Sequence, residues 1–65
     1  MDYTNSQILD AIREHIHSER DRMILARRLV DGIGIEKLGE EFDLSPRQIK
    51  NIIYKNEDIL FMHIK

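Results

Sequence analysis

The chain of 65 residues has no cysteine, one proline and three glycines. Without cysteine there are no disulfides to staple a small fold and no thiolates to hold a metal. So few helix breakers beside 42% hydrophobic residues argue for a compact helical domain rather than a disordered chain. No apolar run approaches the length of a transmembrane helix, and no signal-peptide pattern opens the chain. A cytoplasmic protein without a membrane partner is therefore expected. Internal repeats, low-complexity stretches and linkers are also lacking, which leaves one domain over 1–65 with a thin core. A core of that size needs very regular helix packing or a second subunit to support it.

Constellations for catalysis are missing as well. His15 and His17 are two apart and point to different sides of a helix, while His63 is remote, so no chelating set forms. Glu40 and Glu41 are adjacent and diverge, unlike a general acid and base, and no nucleophile is matched to a base. Gly32-Ile33-Gly34-Ile35 lacks the longer pattern, the following Lys-Ser/Thr and the preceding strand of a phosphate-cradling loop. So small a core also offers little room for a substrate pocket. The expectation is a protein that is not an enzyme and carries no cofactor or metal.

Positive charge is scarce overall but unevenly spread. Ten Lys and Arg against twelve Asp and Glu leave a net charge of −2. Residues 1–44 hold six basic and ten acidic side chains, whereas 45–65 hold four basic and two acidic. Between Ser45 and Asn56 there are three positive charges and no negative one.

That basic stretch closes the most organised part of the chain, residues 35–55. Leu38 and Phe42 sit four apart on one face of a short helix. Ile49, Ile52 and Ile53 form the buried stripe of a second helix. Ser45 caps the second helix, Pro46 suits its first position, and Gln48 completes a capping box. Gly39 leaves room for close approach, and Leu44 plugs the corner under the turn. Large apolar, small, apolar, turn, plug, then branched apolars: this is the spacing of a helix-turn-helix.

Leu44-Ser-Pro-Arg-Gln-Ile-Lys-Asn-Ile52 resembles the recognition helix of LuxR-type response regulators and of the promoter-reading C-terminal region of sigma factors. Arg22-Met-Ile-Leu-Ala-Arg-Arg-Leu-Val-Asp-Gly32 is similar to the helix that precedes the motif in those families. The resemblance covers roughly residues 19–55. It departs at Asp43, where those families often carry Gly; Asp tolerates the left-handed conformation better than most residues.

Around the motif, Thr4-Asn-Ser-Gln7 forms another capping box with a Tyr3/Ile8 staple, opening a helix to about residue 17 with Ile8, Leu9, Ile12 and Ile16 inward. It serves as a core helix, or packs against a second copy. Ser18-Glu-Arg-Asp21 starts the next helix, which ends at Gly32. Met23, Ala26, Leu29 and Val30 are its expected buried face. Ile24 is expected on the opposite side, near solvated Arg27 and Arg28, with a phosphate contact as the alternative for the two arginines. Over 56–65 three readings stay open. The recognition helix continues, with Asn56, Ile59, Leu60 and His63 on its stripe; or Asn56 caps a separate helix; or Ile59 to Ile64 forms a strand. The helical readings are preferred.

The expected fold is thus all-α, a helix-turn-helix bundle of four to five helices at about 4–17, 19–31, 35–42 and 46–55, with a C-terminal helical extension to 64. The expected function is sequence-specific binding of double-stranded DNA by a homodimeric transcriptional regulator. Arg47, Gln48, Lys50 and Asn51 are the candidate base contacts, with Gln48 torn between base reading and its capping box. Lys37, Ser45, Tyr54 and Lys55 are the candidate backbone contacts. Ile59, Leu60, Phe61, Met62 and Ile64 are the candidate dimer or partner interface, since so much terminal apolar surface needs covering. Alternatives are an interaction module for a protein partner of the transcription machinery, and a DNA-recruiting subunit of a phage packaging or recombination complex.

Overall fold

A computed structural model describes residues 3–63. Four helices follow one another: α1 (Asn5–His15), α2 (Glu19–Leu29), α3 (Ile35–Phe42) and α4 (Pro46–His63). No strand occurs among the described residues.

Three of the four helices start where side chains satisfy free backbone amides; α3 starts after Gly34 without a side-chain cap. Thr4 and Gln7 close a reciprocal capping box at α1, and the Ser18 hydroxyl accepts from the Asp21 amide at α2. At α4 the Gln48 amide donates to Ser45 Oγ (3.2 Å) while the Ser45 amide donates to Gln48 Oε1 (2.9 Å). α2 runs out just before Gly32, whose positive φ of 72° turns the chain.

The core gathers Ile8, Ala11, Ile12 and Ile16 from the α1 segment, Ile24 and Leu25 from α2, Leu38 from α3, and Ile49, Ile53 and Leu60 from α4. α2 and α4 each touch all the other helices, whereas α1 and α3 do not touch one another. Tyr3, just before α1, stacks on Phe61 (ring centroids 5.5 Å apart) and His15 at its end stacks on His63 (4.1 Å), so the N-terminal segment covers the last turns of α4.

Two expectations are corrected here. Ile24 and Leu25 are fully buried, while Met23 is 53% exposed and Ala26, Leu29 and Val30 are half-buried. At about 100° per residue, Arg28 lies between Ile24 and Leu25 on the helical wheel. A charged residue in the middle of the inward arc hides that arc from an apolar count. Arg28 is tolerated there because its Nη1 donates to the Ile33 carbonyl (3.2 Å). Arg27 is not simply solvated either: its guanidinium forks onto Glu41 of α3 and also reaches Asp31.

The second correction concerns the C-terminal stretch. α4 passes unbroken through Asn56, so neither a separate helix nor a strand over 59–63 forms. Ile49, Ile53, Asn56 and Leu60 are its buried residues, a 4-3-4 spacing that keeps one seam against the bundle. Asn56 is only 4% exposed; its amide donates to the Ile52 carbonyl (2.8 Å) and to Asp21 of α2 (3.4 Å). The seam in which it sits is internal rather than between copies. Leu60 is fully buried, which withdraws it from the expected interface, while Ile59 and Phe61 are half-buried, the first against the core and the second on Tyr3. The physical reason is that α1 already covers this surface. Met62 stays open at 73% exposure, and Ile64 lies outside the described residues.

Candidate nucleic-acid interface

α3 ends and α4 begins across three residues, Asp43 to Ser45. Asp43 adopts the left-handed conformation (φ 56°, ψ 46°) and its amide donates back to the Gly39 carbonyl. The Leu44 amide donates to the same carbonyl (2.9 Å), which folds the chain tightly over the end of α3. A Cβ on Gly39 would stand 2.6 Å from the Leu44 carbonyl oxygen, so only glycine permits this approach. Leu44 is half-buried against the core. The turn therefore sets the direction in which α4 leaves.

Ile49 and Ile53 hold the N-terminal half of α4 against α3 and α2. At about 100° per residue, the opposite side of the helix carries Arg47, Asn51, Tyr54 and Asp58. All four are exposed. Arg47 and Asn51 lie one turn apart on the same outward line. Lys50 is exposed on the flank, beside a hollow that Arg28, Lys37 and the starts of α3 and α4 also line. Lys55, Ser45 and Lys37 are exposed too. The structure thus brings Arg47, Lys50, Asn51, Tyr54 and Lys55 onto the free side of one helix. Asp58, two residues past the basic run, ends the positive face on that outward line.

Two candidates are less available. Gln48 is exposed, but its Oε1 is engaged by the Ser45 amide, so the capping role is the one adopted. A bidentate amide–adenine pair would have to share or release that oxygen. Lys37 shares α3 with Glu36, Glu40 and Glu41, and it helps hold the Glu41 carboxyl below its ordinary range. The larger cause of that depression is the hydrogen bond from Arg27, which in turn is raised by Glu41. The basic side chains are therefore gathered on α4, whereas α3 sets one lysine against three glutamates.

Sequence reading missed the Arg27–Glu41 fork. Fourteen residues separate its partners, and no local pattern links them. No helix among the described residues is long and apolar enough to cross a membrane. Comparison of the chain with family models, with curated proteins and with solved structures finds no match.

Proposed function

We propose that the chain is a sequence-specific duplex-DNA-binding regulator of transcription, with α3, the Asp43–Ser45 turn and α4 acting as a helix-turn-helix. The observation that carries this reading is the two-sidedness of α4. Its isoleucines are clamped by a turn with no space for a Cβ at Gly39, while Arg47, Lys50, Asn51 and Tyr54 face solvent on a surface free of acid until Glu57 and Asp58. An isolated helix face this wide fits a major groove, where a rigid rod projecting polar side chains reads base edges. The resemblance of residues 19–55 to LuxR-type and sigma-factor domains points the same way.

In this reading Arg47 pairs with guanine and Asn51 with adenine, each good pair discriminating by about 1–3 kcal/mol. Lys50 reaches a base or a phosphate, and Tyr54, Lys55, Ser45 and Lys37 meet the backbone. Gln48 stays with its cap. Selection of bound sequences from random duplex DNA, at two salt concentrations, tests the proposal. Arg47→Ala and Asn51→Ala are expected to flatten the selected motif at separate positions. Variants that select the parent's motif unchanged would remove those two residues as base readers.

A second reading has its own support: the net charge of −2 suits a protein-interaction module better than a DNA binder. It predicts no duplex binding at low salt and co-purification with a protein of the transcription machinery.

A further inference from the structure

Periodicity places Leu9 and Met23 among the inward residues of α1 and α2, yet the fold leaves them 38% and 53% exposed. Both line one groove on the outside of the α1–α2 pair. Ile12 and Ala26 floor it, and among the described residues Arg13 and Arg22 are its only charged lining. It shares no residue with the hollow between the starts of α3 and α4, nor with the proposed duplex contacts. The groove is thus an apolar surface for which the DNA reading has no use.

We infer that this groove docks an amphipathic helix of another protein, one whose apolar stripe is flanked by Asp or Glu. Charge complementarity selects the acid. Arg13 is open to it: Asp10 approaches to 3.8 Å, but both side chains are largely exposed, and such a pair is worth little. Arg22 is set in place by its Nε, which donates to the Ile16 carbonyl. That bond fixes the stem along the edge and leaves the Nη amines for a carboxylate. Two guanidiniums with no carboxylate in the lining repel a basic segment and fork onto an acidic one. The form of the partner follows from what the groove lacks. No sheet edge occurs among the described residues, so an extended strand has nothing to pair with. No aromatic side chain lines the groove, as recognition of a proline-rich segment requires. At about 280 Å³ and open to solvent, it is smaller than most small-molecule sites. A helix laid along two packed helices needs only a shallow apolar trough and an adaptable side chain, which Met23 supplies.

Selection on the full chain tests this, from a displayed library of amphipathic helices about five turns long with a fixed leucine stripe and random flanking positions. The parent is expected to enrich Asp and Glu at the flanks. The enriched peptides are expected to bind Met23→Glu at least about tenfold more weakly, and Arg13→Glu at least about threefold. Both positions are exposed, so the far-ultraviolet circular dichroism is expected to stay unchanged. Put through the same selection, Arg13→Glu is expected to lose the preference for acid. No enrichment, enrichment without acid at the flanks, or peptides that bind both variants as they bind the parent overturns the inference. So does a chain that instead binds vesicles of mixed zwitterionic and anionic phospholipid through Met23, which would make a lipid surface the occupant. Arg47→Ala and Asn51→Ala, on the proposed duplex face, are expected to leave peptide binding unchanged, so this inference and the DNA reading fail separately.

Discussion

Gly39 shows how much of this molecule hangs on single positions. Its missing Cβ lets the Leu44 carbonyl oxygen come within 2.6 Å of where that atom would stand. The obstacle is backbone, so it cannot swing aside as a side chain would. Gly39→Ala is expected to lower stability by about 1–3 kcal/mol, as overpacking does, even though alanine is the better helix former. Urea denaturation measures it; a neutral or stabilising change would show that the turn is looser than described. Asp43 makes the complementary point. Its φ of 56° is a conformation that glycine takes freely, and an aspartate there keeps the turn at a modest cost. Both residues were legible in the sequence, because a small residue and a left-handed-tolerant residue at those positions have few other uses. Asn56 was legible only in part. Its place on the stripe could be counted, but its hydrogen bond to Asp21, 35 positions away, could not.

Between elements, the Arg27–Glu41 fork braces α2 against α3 and so holds the first helix of the proposed motif. The guanidinium lowers the Glu41 carboxyl pKa in the folded chain. A carboxyl that titrates lower when folded stabilises the fold above its unfolded range, and that contribution disappears as pH falls through the depressed value. Stability measured between neutral and acid pH is therefore expected to fall more steeply for the parent than for Glu41→Gln, the two curves converging at the acid end. Parallel curves would mean that the fork contributes nothing; solvent screening at this exposed pair keeps the expected difference small. α4 carries the other lesson at this scale. As an isolated stretch, 56–63 is ambiguous, because apolar residues lie on several sides of it. What makes it helix is α1 and the residue before its cap: Tyr3 stacks on Phe61, His15 on His63, and Leu60 is enclosed.

For the whole molecule, few positive charges face the proposed duplex, and the net charge is −2. If Lys37, Lys50 and Lys55 are the charged phosphate contacts, binding by one copy has a slope of about −2 to −3 in log affinity against log salt. Lys55→Ala is expected to weaken binding to all sequences alike and to reduce that slope by about one per copy. A titration series in salt decides it; an unchanged slope would take Lys55 off the backbone. So shallow a slope also means weak binding at physiological salt, the physical argument for two copies acting together.

Periodicity and capping chemistry alone determined the first three helices and the first half of α4, the start signals of α1, α2 and α4, the left-handed turn at Asp43 and the solvent-facing side of residues 47–55. These are local properties, encoded within a turn or two of helix. Only the tertiary structure decided which way α2 faces, because it is packed by three neighbours and an inward arginine masks its stripe. It also decided that Leu60 is buried, and Ile59 half-buried, by the chain itself. That outcome depends on α1 reaching a segment more than forty residues away, a contact no window of sequence contains.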